Sequence, residues 1–171
     1  VVIGFFPTSR GFGWTAFAGP LSLVDLGVFT VRKGQNKNLS CLAQLTKILD
    51  RLRPETFVIE AFDAQHARRS DRIRRLCLQV VSEVADRGIE LAVFSRGDVQ
   101  ATFATVGART RDDIAEAVAR AIPNLRPLLP PRRKVYASED KRLGLFNAAA
   151  LVLTHYYLGS LGLMDEIRGA V

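Results

Sequence analysis

The chain is poor in the residues that staple or metallate a fold: it has two cysteines and two histidines in 171 residues. Cys41 and Cys77 are too few for a disulfide framework. Both fall on the apolar sides of expected helices, where they read as small buried hydrophobes in a reducing cytoplasm. His66 and His155 exclude a histidine-rich metal site. His155 reads as a packing or capping residue of the last helix, and His66 as a solvated loop residue or a general base near Glu60 and Asp63. Acids are also short, 17 against 24 Lys and Arg, for a net charge of +7 and a pI near 10.0. That imbalance points to a polyanionic partner, nucleic acid first and an acidic membrane surface second. No internal repeat, low-complexity segment or cleavable leader is visible, so one cytoplasmic domain over residues 1–171 is expected. One stretch lacks charge altogether. Leu143 to Met164 is long enough to span a bilayer, but Asn147, Thr154, His155 and Gly159 interrupt it. It reads as a buried core helix running into a Gly-containing tail, and no membrane partner is expected.

Hydrophobic residues are plentiful, 48% of the chain, and their spacing sets out the elements. Val1 to Phe6, Trp14 to Ala18 and Leu23 to Val31 read as strands of an antiparallel meander, broken by the Thr8 to Gly13 loop and the Gly19-Pro20 turn. Leu39, Leu42, Leu45, Leu49 and Leu52 recur at helical spacing until Pro54. Phe57 to Phe62 is a fourth strand. Ile73, Leu76, Cys77, Val80, Val81 and Val84 then form a helical stripe ended by Gly88, with Arg68, Arg72 and Arg75 on another side of that helix. Ile89 to Phe94 is the fifth strand, completing a parallel crossover. Short helices follow over Arg96 to Thr105 and from a Thr110 cap to Ile122, and a last helix over roughly Leu143 to Leu158. The expected class is α/β: a mixed five-stranded sheet, three antiparallel strands then two parallel, with helices on both faces.

Glu60 stands out because it sits near the end of an apolar, β-branched and aromatic strand. It either ends that strand at the solvent edge or is held there by a partner or a cation, since an unpaired buried carboxylate is costly. The loop Thr8-Ser9-Arg10-Gly11 has two hydroxyls, a guanidinium and flexible amides. It is an ordinary hairpin loop or a phosphate cradle. Arg68, Arg69, Arg72, Arg74 and Arg75 crowd the stretch after Glu60, and Arg132, Arg133, Lys134, Lys141 and Arg142 form a second basic cluster. Each is a solvated face or a phosphate-binding surface, and the two clusters are candidates to flank one groove.

The opening Gly4-Phe5-Phe6-Pro7-Thr8-Ser9-Arg10-Gly11-Phe12-Gly13-Trp14, the pair Ile59-Glu60, the segment Gln100 to Ala108 and the segment Asn147 to His155 together resemble the RuvC family of Holliday-junction resolvases, with its ribonuclease-H-like fold. The resemblance covers most of the chain. Family members cut phosphodiester bonds with two divalent metals held by four acids, and they suggest a homodimer. Here Phe6 stands at the first acidic position, Glu60 keeps the second, and Gly144 and Asn147 stand where the last two acids are expected. A phenyl ring cannot bind Mg²⁺, and one carboxylate with an amide is a poor substitute for four oxygen ligands. The resemblance therefore implies the fold and a groove facing nucleic acid, DNA above all and structured or branched DNA in particular. It does not imply the reaction, and no cofactor is expected. Two other readings stay open. In one, Glu60, Asp63, Glu139 and Asp140, with Asn147 as a weak ligand, rebuild a displaced Mg²⁺ or Mn²⁺ site in a working endonuclease. In the other, the chain is a structural or dimerisation subunit using Tyr156, Tyr157 and Leu158. Phe6 itself either fills the space of the missing metals or stacks on an unpaired base.

Overall fold

In the computed structural model, residues 1–63, 65, 68–132, 134 and 140–169 are described, without the side chains of 162–168. Three strands open the chain: β1 (Val2–Pro7), β2 (Gly11–Gly19) and β3 (Ser22–Thr30). They are followed by α1 (Lys37–Leu52), β4 (Thr56–Glu60), α2 (Asp71–Asp86) and β5 (Glu90–Phe94). Then come α3 (Arg96–Ala104), α4 (Arg111–Ala121), a 3₁₀ turn over Pro123–Leu128 and α5 (Leu143–Gly169). The sheet order is β3-β2-β1-β4-β5. The pairs β1–β2 and β2–β3 are antiparallel, whereas β1–β4 and β4–β5 are parallel. The expected mixed five-stranded sheet is therefore the one observed.

Strand alternation builds two cores, one on each face. Ile3, Phe5, Phe12, Phe57 and Ile59 point to the face covered by α1 and α2, where Cys41, Leu45, Leu49, Leu76, Cys77 and Val80 meet them. Both cysteines are free and buried, and burial pushes each thiol up to about 11. Val2, Phe6, Phe17 and Val58 point to the other face, under α3, α4 and α5. Glu60, two residues beyond Val58, shares that second face with Phe6.

Helix α5 lies unusually close to the sheet. A methyl group placed on Gly13 would sit 2.3 Å from the Gly144 carbonyl carbon, and one on Gly4 would sit 2.2 Å from the Ala148 oxygen. Only glycine permits that approach, and it seats the start of α5 over β1 and β2 beside Phe6. The helix also runs on to Gly169 instead of ending near Leu158. Gly159 lies inside it, with open space around its α-carbon, so its weak propensity costs some stability without ending the helix. Among the described residues no helix is long and apolar enough to cross a membrane.

Candidate functional site

The site forms at the carboxyl ends of the parallel strands, where backbone geometry leaves a crevice between successive loops. The β1–β4 register pairs Phe5 with Ile59, so Phe6 and Glu60 come next on adjacent strands. Glu60 is only 8% exposed. It is not at a solvent edge, and its partner is Arg69, whose Nη2 donates to Oε2 in a salt bridge buried on both sides. The same guanidinium donates through Nη1 to the Pro7 carbonyl at 3.3 Å and lies over the Phe6 ring at 4.7 Å. Arg111, the first residue of α4, approaches that ring at 5.8 Å. Phe6 is 5% exposed and carries a guanidinium on its face, so it is not a stacking platform for a base. Of its two sequence readings, filling the strand end is the one the geometry keeps.

Two recesses meet here. A small one of about 20 Å³, room for a single water, is lined by Phe6, Glu60, Arg96, Gln100, Arg111 and Asn147 among others. The Asn147 side-chain nitrogen is buried without a hydrogen-bond partner among the described residues. The large one is a groove of about 650 Å³ running from Phe6 over Thr8, Ser9 and Arg10 to Asp140, Lys141, Arg142 and Gly144. Among the described residues its lining carries five cations, Arg10, Arg69, Arg111, Lys141 and Arg142, against one acid, Asp140. Arg142 holds that acid in a two-pronged pair, Nε to Oδ1 at 3.0 Å and Nη2 to Oδ2 at 2.8 Å. This bond, ahead of the burial that opposes it, keeps the Asp140 carboxyl below the usual range.

The remaining sequence-predicted residues divide by what they touch. Thr8 and Gly11 close the loop on each other, Thr8 N to Gly11 O at 2.9 Å and Gly11 N to Thr8 Oγ1 at 3.1 Å. Arg72 donates to the Thr8 and Ser9 carbonyls at 3.2 and 3.3 Å and to Asn38 Oδ1 at 3.0 Å, so it braces the loop from behind and does not face the large groove. Arg68 and Arg69 are not on the helix. Ser70 caps α2, its hydroxyl accepting the Ile73 N–H, and this places both arginines in the connection before it. Arg75 is exposed on α2 and lines a different groove. Arg132 does not flank the site. Glu116 and Asp113 on α4 bind its guanidinium at 2.8 and 2.9 Å, which draws it away from the α5 cluster. Lys134 is exposed and lines neither recess.

Asp63 is exposed, accepts the Gln65 N–H at 3.2 Å and lines neither recess. His66, Arg133 and Glu139 lie outside the described residues. Among the described residues, no three His, Cys, Asp or Glu side chains come together as a group able to hold a metal ion. His155 packs, with Phe94 and Tyr156 rings at 6.2 and 5.6 Å. A methyl on Gly144 would come within 2.9 Å of Thr8 Cγ2, so a side chain there would have to displace Thr8.

Sequence reasoning missed Arg96, Gln100 and Arg111. The signal was available: Arg96 follows the Ser95 cap just past β5, and Arg111 follows the Thr110 cap of α4. Residues just past parallel strand ends and at helix starts are the ones that face such a crevice.

Neither a protein-family model nor a curated protein matches the sequence. Solved structures do match the fold. A Thermus thermophilus RuvC structure superposes with a TM-score of 0.66 at 18% identity, covering 94% of this chain and 96% of that one. T. thermophilus RuvC in complex with a Holliday junction substrate gives 0.67 at 17% identity, covering 94% and 95%. The fold is RuvC-like, of the ribonuclease-H-like class.

Proposed function

We propose that this chain binds nucleic acid, structured or branched DNA in particular, through the groove between the Thr8–Gly11 loop and the start of α5, without two-metal hydrolysis. The observation that carries this reading is the charge of the groove. Five cations face one acid, that acid is held by Arg142, and the single carboxylate at the end of β4 is held by Arg69. Phosphodiester backbone is the ligand such a surface attracts, because each neutralised phosphate releases counterions. The similarity to a RuvC seen with a Holliday junction substrate supports DNA as the class and a branch point as the shape.

The residues at the strand ends do not fit a pair of dications. A hard cation needs several oxygen ligands, whereas here one carboxylate is spent on a guanidinium and its neighbour is a phenyl ring. The third position, Gly144, has no side chain. The chain's own groups bind and orient, with Arg69 supplying the positive charge beside Glu60.

Fluorescence anisotropy with a four-way junction, a duplex and a single strand tests the proposal, alongside a cleavage assay with Mg²⁺ and Mn²⁺. Junction binding that persists in EDTA with no strand scission is the expected result. Metal-dependent scission that disappears in Glu60→Gln establishes the endonuclease reading instead.

A further inference from the structure

A second groove, of about 600 Å³, lies on the other side of the Thr8–Gly11 loop between the start of α1 and the exposed side of α2. Among the described residues its lining includes Lys37, Arg72 and Arg75 and no acid. The two grooves share a wall. Lys37 Nζ donates to the Ser9 carbonyl at 3.2 Å, and Arg72 donates to the Thr8 and Ser9 carbonyls, so the loop lining the first groove rests on cations lining the second. Asn38 and Arg72 fix the α1–α2 spacing by bonding each other twice, side chain to side chain at 3.0 Å and Asn38 Nδ2 to the Arg72 carbonyl at 3.2 Å.

Charge pairing favours this groove as a binding surface in its own right. Of the five cations in the first groove, Arg69 and Arg142 already face carboxylates. None of the three in the second is ion-paired among the described residues, and the carbonyls that Lys37 and Arg72 touch leave their net charge intact. Lysine has three donors and arginine five, so both keep N–H groups for a further acceptor.

We infer that the α1–α2 groove is a second phosphodiester subsite, taking backbone that leaves the first groove and crosses Ser9 and Arg10. The inference rests on the nucleic-acid reading above and adds a path: short ligands fill the first groove, longer ones reach both.

The test compares a short oligonucleotide of about six nucleotides with one of about thirty, by anisotropy over a salt series, since each phosphate contact contributes about 0.7 to 0.9 to the slope of log K on log salt. The variants are Arg75→Glu with Gln79→Glu, both exposed on α2 and neither bonded to the loop, and Arg10→Glu with Lys141→Glu in the first groove. The α2 pair is expected to weaken the long ligand about tenfold and lower its salt slope by about one, leaving the short ligand unchanged. The first-groove pair is expected to weaken both ligands. An α2 pair that leaves the long ligand unaffected, or weakens both lengths equally, overturns the second subsite while the first-groove reading stands. If the α2 pair changes only self-association in sedimentation, the groove is a protein contact and the inference fails. An unsubstituted protein that binds neither oligonucleotide removes the first reading as well.

Discussion

At the residue scale, Arg69 is the side chain on which the site turns. A buried carboxylate and guanidinium are each expensive to desolvate, and their contact offsets that cost only while both are present. Arg69→Met is therefore expected to destabilise the protein by about 3 kcal/mol, a fall in melting temperature of roughly 6–12 °C for a chain of this size. Glu60→Gln keeps an acceptor for the guanidinium and is expected to cost less than half as much. Thermal denaturation of the two variants checks the order, and equal small losses would mean the pair contributes little. The adjacency of Phe6 and Glu60 was implied in the sequence by the RuvC resemblance, which put both at one site. The arginine was not, because it comes from a connection before Ser70 whose path no periodicity describes. Arg69, Arg72 and Arg75 look alike as a charge run, yet one neutralises Glu60, one braces a loop and one lines another groove without touching the loop.

At the scale of elements, caps and close contacts decide where side chains can go. Helix α4 starts with a capping box in which Thr110 accepts the Asp113 N–H and Asp113 accepts the Thr110 N–H. Those backbone bonds, with Arg132 and the Arg109 N–H adding to them, hold the Asp113 carboxyl well below its usual range. A carboxyl lowered on folding stabilises the native state above its unfolded value near 3.8 and loses that contribution as pH falls through the folded value. Asp113→Asn is thus expected to lower stability at neutral pH slightly and to flatten its decline as the pH falls from about 4 towards 2, as urea titrations over that range would register. Helix α5 depends on Gly13 in the same local way. Gly13→Ala drives a methyl into the backbone of Gly144 and Leu145, and the expected loss is about 2–3 kcal/mol with a weakened affinity for DNA as α5 lifts from the groove. An unchanged melting temperature would show that the helix adjusts freely. Most elements were readable from apolar spacing, including the Thr110 cap. The length of α5 was not, since Gly159 within an apolar run reads as an ending when nothing reveals that the helix continues past it.

Across the whole molecule, the sheet exposes its parallel strand ends on one side, and the chain surrounds that crevice with cations while Glu60 and Asp140 there are paired. Composition already announced the excess of positive charge. Where that charge collects was hidden, because it depends on which acids come near which bases: Glu116 and Asp113 capture Arg132, while Lys141 and Arg142 stay at the groove. The proposed polyanion site is a product of that sorting, and the RuvC-like fold supplies only the place for it.

The salt dependence of affinity for a four-way DNA junction, measured in EDTA and again in Mg²⁺ at matched ionic strength, tests the central claim most directly. We expect log K in EDTA to fall linearly with log salt, with a slope of about −4.5 if the groove's five cations each displace a counterion, and Mg²⁺ to weaken binding by competing for the phosphates. A flat line, or binding that appears only with Mg²⁺, contradicts the account.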